Sequence, residues 1–217
     1  MLALLLFMSA CSPNRAAYRG ESLTERESGI NVTSDADGNI ISVSSNRNHF
    51  SLILPYSDKW DFSWKEGYLL IGSAGPVNVV LRATVTEDSP VAHLKMLREM
   101  LIRPGAVAGL ESARLVKHRG DIVLVTVVDG ARATDSETLE GVKQLNVFSV
   151  RKWKNILYRL NISTPFIKGK GEKELRSEIL DYATAGFSAS YMRDHKSSDD
   201  DSIGVDSLWR RGTGRRN

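Results

Sequence analysis

The sequence is poor in the residues from which small domains build covalent or metal-bound scaffolds. It holds one cysteine, Cys11, so an intramolecular disulfide and a multi-cysteine metal site are both excluded. Its four histidines are scattered, which argues against a histidine-rich metal centre. Charge of one sign is also scarce: 29 Lys+Arg against 26 Asp+Glu leave +3, too little to argue for a nucleic-acid partner. No Gly-x-Ser-x-Gly elbow, His-Glu-x-x-His pair, P-loop or Gly-x-Gly-x-x-Gly turn occurs. The common motif-borne hydrolase, zinc-protease and nucleotide chemistries therefore have no foothold. Nothing calls for a cofactor.

What is present is ordinary globular composition. Of 217 residues, 41% are hydrophobic and 25% charged, which suffices for one packed domain with tails.

The first ten residues, MLALLLFMSA, are uncharged and nearly all apolar. As a helix they would rise about 15 Å, half of a ~30 Å hydrocarbon core, so they do not make a full membrane span. They have the length of a signal-peptide apolar region, with Ser9 and Ala10 small enough for a peptidase pocket. Met8-Ser9-Ala10-Cys11 resembles the lipobox of bacterial lipoproteins, with Met8 where the family prefers Leu and no basic residue before the apolar run. That resemblance implies diacylglyceryl attachment to the Cys11 sulfur and cleavage before it, so residues 1–10 read as a lipoprotein signal peptide. In a diderm bacterium, Ser12 after the cysteine further implies the periplasmic side of the outer membrane.

Residues 12–38 are polar with few large apolar side chains, and they read with Cys11 as a flexible tether (11–38). A single domain is expected over 39–194. Residues 39–44 and 50–54 are β-rich, and Trp60, Phe62 and Trp64 recur at period two, as rings covering one sheet face would. Segments 68–71 and 77–86 flank a Gly/Pro turn; in the second, Val77, Val79, Leu81, Ala83 and Val85 share one face. Ser89-Pro90 starts a helix with Leu94, Leu97 and Leu101 on one side, stopped by Arg103-Pro104-Gly105. Residues 114–117 precede 122–128, whose two apolar faces predict a central strand. Segments 144–151 and 155–163 form a hairpin around Lys152-Trp153-Lys154. A second helix is expected over 172–192, with Gly186 inside it at a close packing point. Residues 195–217 read as a disordered tail.

This order predicts an α+β fold, an antiparallel sheet flanked by helices. His49-Phe50-Ser51-Leu52-Ile53-Leu54-Pro55, followed by Trp60, resembles the opening of the PsbP-like (Mog-type) sandwich, and the helix placements match over about 39–194. The family includes DcrB-type periplasmic lipoproteins, which agrees with the anchor. The resemblance implies a binding or accessory role and carries no catalytic residues.

Candidates for chemistry are few. His93, Arg98 and Glu99 have the spacing of a solvated helix face, and His118 sits between Lys117 and Arg119 in an electropositive turn. Asp35-Ala36-Asp37-Gly38-Asn39 opens like a calcium loop, but Ile40 and Asn46 stand where its glycine and glutamate belong. Arg151, Lys152 and Lys154 around Trp153 have the composition used for stacking on single-stranded nucleic acid, and equally that of a hairpin seated at lipid headgroups or against a partner. A solvated turn with a covering Trp is the commoner use, and on an envelope protein the headgroup reading is preferred to nucleic acid. The leading expectation is therefore a non-enzymatic, lipid-anchored envelope protein whose domain binds or scaffolds another envelope component. An envelope enzyme with an unrecognised site, and a cytosolic nucleic-acid binder should Cys11 be unmodified, are the alternatives.

Overall fold

The computed structural model describes residues 14–129, 141–167, 169 and 171–190. The chain opens with β1 (Asn14–Ala17), α1 (Glu25–Ser28), β2 (Asn31–Ser34), β3 (Ile40–Ser45) and β4 (Phe50–Pro55). Then come β5 (Asp61–Lys65), β6 (Tyr68–Ala74), β7 (Val77–Val85) and α2 (Pro90–Leu101). The last elements are β8 (Leu110–His118), β9 (Asp121–Asp129), β10 (Val142–Trp153), β11 (Ile156–Ile167), α3 (Glu172–Thr184) and β12 (Phe187–Ala189). All pairings between these strands are antiparallel. The fold is α+β, as the alternation of strand and helix patterns predicts.

The strands form two sheets rather than one. The larger has the order β1-β5-β6-β7-β11-β10-β9-β8, the smaller β12-β4-β3-β2. Their inner faces and α3 enclose one core, with Phe62, Leu81, Val147 and Leu160 from the large sheet, Trp60 from just before β5, Val32, Val43 and Leu54 from the small sheet, and Ile179 from α3. A second core lies on the opposite face of the large sheet, where Leu94 and Leu97 of α2 cover Ala113, Leu124, Val150 and Leu157. The Ser89 hydroxyl accepts from Ala92 N, capping α2 where the sequence expects its start.

Several expectations change in detail. β9 is apolar on both faces because α2 and the main core cover opposite sides, yet it lies next to the edge strand β8 and not at the sheet centre. Trp60 and Phe62 stack in the core with centroids 5.4 Å apart, but the β5–β6 register shifts between Ser63 and Lys65. Trp64 therefore leaves the series and lies partly exposed over Gly29. α3 ends at Thr184, and β12 takes up the residues expected to continue it. Gly186 still marks a close approach: a Cβ there would sit 2.8 Å from Tyr182 O and 3.0 Å from Ile53 O.

The largest correction concerns residues 14–38, read from composition as tether. They contribute β1, α1 and β2, and Tyr18, Ile30 and Val32 are fully buried. Few apolar residues suffice because each fills a prepared place: Tyr18 N donates to Trp60 O at 2.6 Å, and β2 completes the small sheet. Glu25 locks the segment further, accepting from Ser45 Oγ and Arg47 N, both at 2.8 Å.

Candidate functional site

The registers gather several turns at one end of the large sheet. β1 begins at Asn14 opposite Trp64, at the β5–β6 turn. β7 ends at Val85 opposite Ile156, which pairs with Trp153 across the β10–β11 turn. Asp121 faces His118 across the β8–β9 turn, beside the end of β10. The β3–β4 turn joins them, since the His49 ring meets Trp153 with centroids 4.3 Å apart. This end therefore collects Arg47, Lys65 and Lys154, and Arg119 paired with Asp181, with Glu66 and the rings of Trp64, Tyr68 and Trp153, and 71% of Val85 is exposed there.

The hairpin residues singled out by composition divide by role. Arg151 is committed inside the fold. Its guanidinium donates to Asp121 Oδ1 and Oδ2 at 2.8 and 2.6 Å, to Thr184 O at 2.8 Å and to Phe187 O at 3.2 Å. Such a fixed fork ties β9, α3 and β12 to β10, and its charge is spent on Asp121. Lys152 Nζ donates to Glu87 O and Asp88 O at 2.8 and 3.1 Å, bracing the entry to α2. Trp153 is partly buried against His49, while Lys154 is exposed with its Nζ 4.5 Å from the Trp153 ring centroid. Lys65 stands similarly over Tyr68, at 5.1 Å. His49, Arg119 and Lys154, with φ of 55, 46 and 55°, are the non-glycine residues with positive φ among those described, and all three lie in these turns. A side chain in that conformation costs energy that glycine would avoid, so each turn holds its ring or cation against local preference.

His118 and Arg119, expected in a solvated electropositive turn, converge on Asp181 of α3. His118 Nε2 and Arg119 Nε both lie 2.6 Å from Asp181 Oδ1, and Arg119 Nη2 donates to Oδ2 at 2.9 Å. Burial works to raise the Asp181 pKa, but bonds from Arg119 and His118 outweigh it and hold the carboxyl below its ordinary range. The arrangement is an ion-pair clamp between the β8–β9 turn and the end of α3. Sequence reading missed it because its members are more than sixty residues apart and no local spacing announces the pairing.

The opposite end of the sheet has a different character. There α3, β8, β9, β10 and the end of β11 border an open groove of about 370 Å³, with Val125, Val127, Phe166 and Leu180 as its apolar surface. Arg114 and Arg176 line it without an ion pair among the described residues, whereas Lys143 is paired with Glu111. β8 forms its border and is an edge strand of the large sheet.

Of the remaining candidates, Asp35 closes the β2–β3 turn, its Oδ1 accepting from Asn39 N at 2.8 Å and Ile40 N at 3.0 Å. Arg98 Nε donates to Ala113 O, fastening α2 to β8. Cys11 and the tail 195–217 lie outside the described residues. Among the described residues, no three His, Cys, Asp or Glu side chains converge as metal ligands would. No described helix is long and apolar enough to cross a membrane.

No family model and no curated protein matches the chain. Among solved structures it is similar to the solution structure of cyanobacterial PsbP (CyanoP) from Synechocystis sp. PCC 6803, at 9% identity and a TM-score of 0.43, over 70% of this chain and 93% of that one. It is also similar to a protein of Bacteroides thetaiotaomicron VPI-5482 with a crystal structure at 1.50 Å, at 17% identity and a TM-score of 0.37, over 69% of this chain and 47% of that one.

Proposed function

We propose that this is a lipid-anchored cell-envelope protein that rests the basic–aromatic end of its large sheet on the membrane and offers the opposite groove to another envelope protein. The reading is carried by the position of β1. Its first residue, Asn14, is three residues beyond Cys11 and belongs to the basic–aromatic end. Three residues span at most about 11 Å, so an acylated Cys11 would hold that end at the headgroups. Trp and Tyr rings with neighbouring Lys side chains suit that layer, and each basic residue near an anionic surface contributes about 1 kcal/mol. In a diderm bacterium the membrane would be the outer one, faced from the periplasm. At the far end, Arg114 and Arg176, which have no ion pair among the described residues, lie beside edge strand β8 and suit an extended, acidic polypeptide segment laid along that strand.

Intact mass of the membrane-extracted protein, beside its Cys11→Ser variant, tests the anchor. The expected mass lacks residues 1–10 and gains acyl groups, and the variant loses both changes. An unmodified full-length mass in the soluble fraction would overturn the reading. A photo-crosslinker replacing Glu111 tests the groove: it should capture one discrete envelope protein, and Arg114→Glu should abolish that product. Equal capture from Asn78, away from the groove, would reject the partner assignment.

A further inference from the structure

We infer that a cleft on the outer face of the large sheet, between Arg82 and Arg159, binds a phosphate-bearing anion. The β7–β11 register sets these two arginines directly opposite each other. Like charges in facing positions oppose strand pairing, and a carboxylate between them would offset the repulsion. None is present: among the described residues neither guanidinium has a carboxylate within salt-bridge distance, and the Arg159 guanidinium makes no hydrogen bond. Arg82 is nevertheless held in place, stacked 4.0 Å from the Tyr68 ring centroid and donating to its hydroxyl.

The cleft measures about 280 Å³ and is lined by Tyr68, Val80, Arg82, Phe148, Arg159 and Asn161. Asn161 lies on the same face as Arg159, two residues along β11, and its Oδ1 is sealed from solvent without a partner. Amide oxygen and nitrogen exchange places by a flip. One orientation presents a donor to a phosphate oxygen, and the other accepts from a phosphate hydroxyl. Close by on α2, His93 Nε2 is also sealed without a partner. Burial first, and then the charge of Arg159, hold His93 below its ordinary pKa of 6.5, with Asp88 opposing. Burial and Arg82 likewise lower the pKa of Arg159. α2 covers β8–β10 and the Leu157 end of β11, and the cleft opens beside it, further along β11 at Arg159 and Asn161. Two unneutralised, forked cations over an unsatisfied polar atom match the geometry and charge of a phosphate group. The site's chemistry does not depend on acylation of Cys11.

The full chain carrying Cys11→Ser provides the test, since any response is then independent of acyl groups. Its thermal unfolding is followed in rising sodium phosphate and in sodium chloride of equal ionic strength. The midpoint should rise with phosphate beyond the chloride control, and Arg159→Gln should weaken the apparent affinity by roughly tenfold or more. Arg26→Gln, which removes an exposed charge on α1, should leave the response intact. Should Arg159→Gln fail to fold, Asn161→Leu carries the same comparison. An unchanged phosphate response in the cleft variants would overturn the site. Sedimentation with phosphatidylglycerol vesicles separates the two sources of the ligand. A deficit specific to Arg159→Gln identifies a lipid headgroup, and equal sedimentation alongside the phosphate effect identifies a free phosphate compound.

Discussion

Asp181 shows how one carboxylate can join elements that no local sequence pattern connects. It accepts from both His118 and Arg119, fastening the β8–β9 turn to the end of α3. Because its pKa is lowered on folding, the folded state binds fewer protons at this group than the unfolded chain does. The linked stability is present above the unfolded value and is lost as pH falls through the lower, folded one. Asp181→Asn should cost about 1–2 kcal/mol at pH 7. The gap between variant and parent should close as pH falls below the ordinary carboxylate value of 3.8. Urea denaturation of both proteins at several pH values measures this. A gap that stays constant down to acid pH would assign the loss to packing instead. Arg151 makes a complementary point: composition marks it as surface charge, while four hydrogen bonds enclose it in the fold.

At the scale of elements, legibility follows the strength of local pattern. α2 is legible because a hydroxyl cap, a proline and leucines at helical spacing agree, and the β10–β11 hairpin because alternation runs along both arms. β1, α1 and β2 have four residues each, too few for any period to show, and tertiary contacts define them. The groove and the Arg82–Arg159 cleft were illegible for a related reason, since both arise from registers between distant strands. The N-terminal segment offers a direct check. A chain beginning at residue 39, where composition sets the domain boundary, loses the buried Tyr18, Ile30 and Val32, each worth about 1.5–3 kcal/mol. Set against a typical net stability of about 5–15 kcal/mol, that loss should leave it unfolded or molten, while a chain beginning at Asn14 stays native. Near-ultraviolet circular dichroism and limited proteolysis distinguish the two. A cooperative, protease-resistant domain from residue 39 would restore the tether.

The whole molecule has two ends with different chemistry, separated along the strand direction. β10 alone has twelve residues, roughly 40 Å at 3.3–3.4 Å per residue. A short lead from Cys11 would therefore impose an orientation, which a long tether could not. In vesicles bearing the acylated protein, a fluorophore at residue 154 or 65 should be strongly quenched by a headgroup-attached quencher, and one at residue 78 weakly. The contrast tests more than attachment, because acylation alone keeps all three positions at the vesicle. Twenty Gly/Ser residues inserted between Pro13 and Asn14 would add a random-coil reach of about 25 Å. If the short connection alone sets the orientation, that insertion should erase the contrast. If the cations and rings also grip the headgroups, quenching at residue 154 should survive the insertion at low salt and fall as salt rises through 0.15 M, where screening acts within about 8 Å. Equal quenching at all three positions in the uninserted protein would mean that neither the connection nor the surface fixes which end meets the membrane.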